Sequence, residues 1–311
     1  MTSANPRIAV TPPAIHRFPA LKNDLLKRFP DTVFNQTGNY FQERELVEFI
    51  NEAEAVVVGR DPVSENVLKA LPNLRMVSKY GVGLDNIDQE ALKKRGVKLG
   101  FTPGVNRTSV AELTLCFMLG LFHNVFKSGF ALKRKIWEKD GGCQLNGKIA
   151  GIIGCGNIGK EVVRLLQPFG CKVLVRDILD MSDFCMEHGA EVAGFEELIS
   201  QSDIVSLHVP LTADTRDLIN MKVLRRMKPG AFLVNTSRGE IVREQDLKEA
   251  LMDGAIAGAA LDVFSQEPPE DPELLDCPNL MVTPHIGGNT VEAALGMFQE
   301  AMRHIEEFFG K

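Results

Sequence analysis

The stretch Ile149-Ala150-Gly151-Ile152-Ile153-Gly154-Cys155-Gly156-Asn157-Ile158-Gly159 decides the fold. Its first five residues are almost entirely apolar, as a strand covered on both faces of a sheet requires. The glycines at 154, 156 and 159 then follow at G-x-G-x-x-G spacing, and the residues to about Gln167 are patterned as a helix. In that context Gly154 permits a tight turn, Gly156 lets the backbone approach a pyrophosphate, and Gly159 lets the helix pack closely on the strand. The helix N-terminus, with Asn157 and Ile158, presents free N–H groups and a partial positive charge to phosphates. Asp177 stands 18 residues past Gly159, at the end of the next apolar run, residues 172–175. A carboxylate there accepts hydrogen bonds from the adenosine ribose hydroxyls and repels the extra phosphate of NADP, so NAD is the expected cofactor. Arg176 is adjacent, but strand alternation is expected to point it away from Asp177, and Ile178 supplies no cation.

Working outward, the whole chain alternates short apolar runs with helical patterns, the signature of βαβ units and parallel sheets. Toward the N-terminus, strands are expected at residues 8–10, 32–34, 55–58, 76–78 and 97–99, with helices at 21–29, 42–51, 63–71 and 89–95 between them. One long helix is expected from Ser109 to about Lys135, ended by Gly141-Gly142. Beyond the glycine loop, strands are expected at 204–209, 231–234, 257–263 and 280–283, giving about six strands in this half. A final helix covers residues 291–309. The expected class is therefore α/β with two domains.

With 44% hydrophobic and 24% charged residues over 311 positions, the chain has the composition of a soluble globular protein. A net charge of −6 and no basic clustering argue against nucleic acid. No apolar run approaches a membrane span, and Met1 to Ala20 lacks the apolar core of a secretory signal. The six cysteines show neither C-x-x-C pairing nor zinc-ligand spacing, so no metal is expected and the thiols are read as free in a reducing cytoplasm.

Ionisable residues recur where strands end. Asn235-Thr236-Ser237-Arg238-Gly239 follows the run 231–234, Asp262 and Glu267 follow 257–263, and His285 follows 280–283. Ligands of open α/β sheets bind at the carboxyl ends of strands, so these side chains share one edge. Hydride transfer to a 2-oxo acid creates an alkoxide that must be protonated, and the reverse reaction must release that proton. Histidine suits both directions near neutral pH. A carboxylate beside it, for which Glu267 is the candidate, favours the imidazolium. Arg238 can hold a substrate carboxylate through two parallel hydrogen bonds and polarise the reacting carbonyl.

At this point the chain resembles the D-isomer-specific 2-hydroxyacid dehydrogenases, in particular the phosphoglycerate dehydrogenase branch. The resemblance is carried by Lys79-Tyr80-Gly81-Val82-Gly83-Leu84-Asp85-Asn86-Ile87-Asp88, Thr102-Pro103-Gly104-Val105-Asn106, Val110-Ala111-Glu112, Val209-Pro210-Leu211-Thr212, residues 235–239, Leu261-Asp262-Val263 and Pro284-His285-Ile286-Gly287-Gly288. It implies that Arg238, Glu267 and His285 form the catalytic trio. It places Asp262 at the nicotinamide carboxamide and adds His208, Val209, Pro210, Thr215, Thr236, Ser237, Arg238, His285 and Gly288 to the cofactor site. It assigns Lys79, Tyr80, Gly81, Val82, Gly83, Asn106, Arg238 and His285 to substrate, with the backbone of the 80–83 loop meeting the substrate carboxylate. The implied layout is a Rossmann NAD-binding domain (106–285) inserted into a flavodoxin-like substrate domain (1–105), to which residues 286–311 return, with the reaction in a cleft and a homodimer formed through the NAD domain.

Lys79, Arg60 and Arg107 are the cations nearest the implied substrate loops, and a phosphorylated substrate needs such charges. The first expectation is therefore oxidation of 3-phosphoglycerate, as in serine biosynthesis. A hydroxypyruvate or glyoxylate reductase is the alternative, and an NAD(H)-sensing corepressor-like binding protein is the third reading. A chain ending just after the last helix is expected to lack serine feedback through a C-terminal regulatory domain.

Overall fold

The computed structural model describes residues 6–310. The chain forms two compact units, one from residues up to 106 together with those from 289 onward, the other from Arg107–Gly288.

In the first unit β1 (Ile8–Val10), β2 (Thr32–Phe34), β3 (Ala55–Val58), β4 (Met76–Lys79) and β5 (Lys98–Gly100) build a parallel sheet in the order β2-β1-β3-β4-β5. The helices α1 (Pro19–Arg28), α2 (Glu43–Ile50), α3 (Glu65–Ala70) and α4 (Gln89–Arg95) alternate with the strands. Strands β1, β3 and β4 are buried along their whole length, so their apolar runs are unbroken apart from Ser78 and Lys79. Local chemistry marks the helix ends. Asp88 caps α4 by accepting from the Ala91 N–H at 2.9 Å, and Gly96 ends it in the left-handed region at φ +69°.

The second unit opens with α5 (Arg107–Phe122) and α6 (Val125–Lys133). The single helix expected over 109–135 is corrected here. Asn124 adopts φ +50° and the axis turns by 67°, because asparagine tolerates the left-handed conformation that interrupts the helical hydrogen-bond ladder. The two pieces differ physically. α5 buries residues on most sides, whereas α6 buries none.

There follow β6 (Ile149–Ile153), α7 (Asn157–Leu166), β7 (Lys172–Arg176), α8 (Ser182–Glu187), β8 (Glu191–Val192), α9 (Phe195–Gln201), β9 (Ile204–Leu207), α10 (Met221–Leu224), β10 (Phe232–Asn235), α11 (Glu244–Met252), β11 (Gly258–Leu261), α12 (Pro272–Leu275) and β12 (Leu280–Val282). The strands form one parallel sheet, β12-β11-β10-β9-β6-β7-β8. It has seven strands where about six were expected. The extra one, β8, is two exposed residues at the sheet edge, too short and too polar to leave an apolar run. Strand order reverses between β6 and β9, the switch point at which doubly wound sheets bind ligands.

The last helix, α13 (Val291–Phe309), packs on the first sheet. The Ser78 hydroxyl donates to the Ala301 carbonyl at 2.8 Å, and the Tyr80 ring lies 4.2 Å from that of Phe298. The contact is close enough that a Cβ on Gly100 would lie 2.6 Å from His304 Cβ. The return to the first unit comes after Gly288 rather than after His285, because the N–H groups of residues 285–287 are tied to Asp262 in the second unit.

Candidate active site

Sheet register gathers the candidate residues of the second unit. Arg176 pairs with Ile153, Ile153 with Leu207, Leu207 with Asn235, Asn235 with Leu261, and Leu261 with Val282. One row of residues thus ends six adjacent strands. Each candidate lies just beyond it, namely Asp177, Gly154, His208, Thr236 to Arg238, Asp262 and His285.

The glycine loop is built as its sequence requires. Gly154 has φ +90°, and a Cβ there would lie 2.5 Å from the His208 carbonyl oxygen. A Cβ on Gly159 would lie 2.0 Å from the Gly154 carbonyl oxygen, so only glycine lets α7 approach β6 this closely. At Gly156 a Cβ would meet nothing within 4 Å, which leaves open space at the start of α7. Asp177 closes the loop from the side. Its carboxylate accepts from the N–H of Cys155 at 2.6 Å and of Leu179 at 2.9 Å. The Arg176 guanidinium, expected to point away, instead curls back to donate to the Asp177 carbonyl oxygen. The long arginine stem reaches that oxygen even though the side chain starts on the other face. Burial pushes the Cys155 thiol up to about 12.

The turn after β9 carries His208, Val209 and Pro210. Burial pushes the His208 imidazole down to about 3, which keeps it neutral. Its Nε2 lies 2.9 Å from the Ser206 hydroxyl, while Nδ1 is enclosed with no hydrogen-bond partner. Thr215 stabilises the turn, its hydroxyl donating to the Pro210 carbonyl at 2.7 Å and accepting from the Thr212 N–H at 2.8 Å.

After β10, Asn235 organises the loop that carries Arg238. Its amide donates to the Arg238 carbonyl at 2.8 Å and its oxygen accepts from the Ser237 N–H at 3.0 Å. The Ser237 hydroxyl donates to the Leu207 carbonyl at 2.6 Å, and Thr236 meets Thr114 of α5 at 3.0 Å. Arg238 is half-buried and donates to the Ser237 carbonyl at 2.6 Å. Gly239 is indispensable here, since a Cβ would lie 1.9 Å from the Phe264 carbonyl carbon, in the segment leading to Glu267. His285 Nδ1 lies 2.8 and 2.9 Å from the two carboxylate oxygens of Glu267. A histidine–carboxylate pair therefore stands at the ends of β11 and β12, two strands from the glycine loop's neighbour β9.

Residues 115–287 match the family model for the D-isomer specific 2-hydroxyacid dehydrogenase, NAD binding domain. The chain belongs to this family. It is 38% identical to the hydroxypyruvate reductase of Thermotoga maritima over 264 residues, 83% of this chain and 85% of the relative. It is 36% identical to the D-3-phosphoglycerate dehydrogenase of Methanocaldococcus jannaschii over 277 residues, 88% of this chain but 53% of that longer protein. Among solved structures, the glyoxylate reductase from Paecilomyes thermophila superposes with a TM-score of 0.86 at 28% identity, covering 98% of this chain and 96% of the other. This D-2-hydroxyacid dehydrogenase is thus an NAD-dependent oxidoreductase that interconverts the CH–OH group of small 2-hydroxy acids and the carbonyl of the matching 2-oxo acids. Its residues fit the cofactor: the space left at Gly156, the α7 N-terminus and the Asp177 carboxylate match a pyrophosphate followed by a ribose.

In the first unit of the dehydrogenase, Lys79 is buried and donates to the Gly59 carbonyl and, at 2.7 Å, to the Asn86 amide oxygen. The loop of Gly81, Val82 and Gly83 follows, with Gly81 at φ +118°. The Tyr80 hydroxyl and Asn106 Oδ1 are enclosed without hydrogen-bond partners. Arg60 stacks on the Tyr40 ring at 5.0 Å. Sequence reasoning missed Thr114, Ser109 and Thr283, which brace Thr236, Gly287 and Asp262 respectively. A hydroxyl within the apolar stretch from Leu113 to Phe122 was the available signal for Thr114.

Proposed function

We propose that this dehydrogenase interconverts a small unphosphorylated 2-oxo acid, of the glyoxylate or hydroxypyruvate class, and the matching 2-hydroxy acid, of D configuration where C2 is a stereocentre. The reading rests on one observation above others: His285 is held by Glu267 at the carboxyl edge that also carries Arg238 and the glycine loop. NAD, held by the 154–159 loop and Asp177, would supply or accept the hydride when bound. His285 delivers the proton to the nascent alkoxide, or removes it in reverse, through Nε2, since Nδ1 is engaged by Glu267. Arg238 binds the substrate carboxylate and polarises its carbonyl.

An unphosphorylated acid is placed first because two of the three cations nearest the substrate loops already have partners in the first unit. Lys79 serves Gly59 and Asn86, and Arg60 lies against Tyr40. The test is absorbance at the NADH band with glyoxylate, hydroxypyruvate and pyruvate, and with NAD and 3-phosphoglycerate. Turnover of glyoxylate or hydroxypyruvate at a higher kcat/KM than 3-phosphoglycerate is the expected result, and the opposite ranking restores the phosphorylated substrate. Tight NADH binding without turnover of any acid favours a cofactor-sensing role.

The assembly inferred is a dimer with a second copy of this chain. α6 buries nothing of its own, and Val125, Phe130, Leu132, Ile136 and Trp137 on it and just after it are exposed. Light scattering of the parent and of a Phe130→Ser/Trp137→Ser variant tests this, with a shift toward monomer expected in the variant.

A further inference from the structure

The turn after β12 has the form of an anion-binding nest, and the protein fills it from within. His285 takes φ +53°, a conformation that L side chains rarely adopt. Three consecutive N–H groups then converge on one residue: that of His285 donates to the Asp262 carbonyl, that of Ile286 to Asp262 Oδ1 and that of Gly287 to Asp262 Oδ2, each at 2.8 Å. The Thr283 hydroxyl adds a fourth bond, to Oδ1. Asp262 is itself fixed, its N–H donating to the Asn235 carbonyl at 3.0 Å, and its side chain is buried. Successive N–H groups in such a turn form a concavity for an anion, which elsewhere in proteins is often a bound ligand. A Cβ on Gly287 would sit 2.9 Å from Asp262 Oδ2, so glycine at this position lets the carboxylate seat.

We propose that Asp262 is a positioning residue for the reaction: its carboxylate is the resident anion for the Ile286 and Gly287 N–H groups, its carbonyl takes that of His285, and together they set where the His285 imidazole stands. Glu267 fixes the ring from the Nδ1 side and Asp262 fixes the backbone from below. The two carboxylates divide the work, since neither alone determines both the place and the orientation of the imidazole. Removing the Asp262 charge takes the anion away from the Ile286 and Gly287 N–H groups and the Thr283 hydroxyl, which loosens the turn that holds His285 at positive φ and lets its ring move away from Glu267. This function is additional to the nicotinamide contact that the family resemblance implies, and it rests on the reading of His285 as the acid–base group.

The experiment compares parent, Asp262→Asn, Asp262→Ala and His285→Ala, measuring kcat, KM and the NADH Kd by fluorescence. The expected result for the Asp262 variants is a loss of about 10- to 100-fold in kcat, as misplacement of a reacting group gives, with an NADH Kd weakened clearly less than kcat falls, because the nicotinamide contact is lost as well. Added formate partly restores turnover to Asp262→Ala by re-entering the nest. A kcat within about threefold of the parent, or an NADH Kd weakened by the same factor as kcat, overturns the proposal. Should those variants fail to fold, Thr283→Val keeps the carboxylate but removes one donor, and a loss of about 3- to 10-fold in kcat at unchanged NADH Kd is expected. An unchanged kcat there overturns the proposal. Full activity of His285→Ala sinks the underlying acid–base reading, whereas an inactive His285→Ala beside a fully active Asp262→Asn sinks this proposal alone.

Discussion

His285 Nδ1 lies 2.8 Å from Glu267 Oε2. A carboxylate bound at Nδ1 fixes the tautomer and the ring plane and leaves Nε2 to exchange the proton. His285→Ala is expected to lower turnover by roughly 10²–10⁴-fold, the range for losing a general acid–base group. Glu267→Gln keeps the imidazole but loosens its orientation, and a loss of about 10- to 100-fold follows. Stopped-flow NADH absorbance reads both, and an unchanged rate for His285→Ala would remove that residue from the chemistry.

Asp177 faces the glycine loop through its bond to the Cys155 N–H. A ribose diol can share that carboxylate, but a ribose phosphate is repelled by it. Asp177→Ala should weaken NADH by about tenfold, the cost of losing charged hydrogen bonds, and leave NADPH unchanged or tighter. Titration of both cofactors by fluorescence checks this. Equal weakening of the two would undo the ribose assignment.

Gly239 is the point at which two site-bearing loops touch. An alanine Cβ would overlap the Phe264 carbonyl carbon at 1.9 Å, and that neighbour is backbone, which cannot rotate away. Gly239→Ala should destabilise the fold by about 3 kcal/mol or more, as overpacking against main chain does, and should lower turnover of the folded fraction by displacing Glu267. Urea unfolding and kcat per folded enzyme are the measurements. Parent-like stability would show that the loops separate easily.

His208 makes the protein acid-sensitive. Its imidazole is held at about 3 by burial against an ordinary value of 6.5. The unfolded chain therefore binds a proton that the folded chain refuses. Stability from this group is complete above pH 6.5 and falls as pH drops from there toward 3. Between pH 7 and 5 the loss amounts to about 1–2 kcal/mol. His208→Gln removes the proton uptake, so the stability gap between parent and variant should change by that amount over the same interval. A gap independent of pH would contradict it.

Much of this was readable from the chain alone, for identifiable reasons. The run Ile149–Ile153 and the three glycines have one physical solution, because no other residue type tolerates the contacts at Gly154 and Gly159. The boundaries of α13 were legible because Thr290 caps its start, the side chain accepting from the Ala293 N–H at 3.2 Å, and Gly310 ends it. The kink at Asn124 was hidden, since the apolar pattern runs through it and one left-handed asparagine leaves no periodic trace. β8 was hidden because Glu191 and Val192 face solvent at a sheet edge. His285, Glu267 and Arg238 could be named from their places after strands. The contribution of Asp262 to the 285–287 turn could not, because it depends on three backbone groups that carry no side-chain signature.

The return of α13 to the first sheet fixes the order in which the chain can be completed during synthesis. Residues 107–288 are contiguous and can close their own core once they have left the ribosome, as domains generally do. The unit begun first must wait, with the flank of β4 that will receive Phe298 and Ala301 uncovered, until the final helix has been made. A chain cut short near residue 289 would therefore carry a finished nucleotide-binding unit and an incomplete first unit, whose uncovered apolar flank is the surface a chaperone would hold.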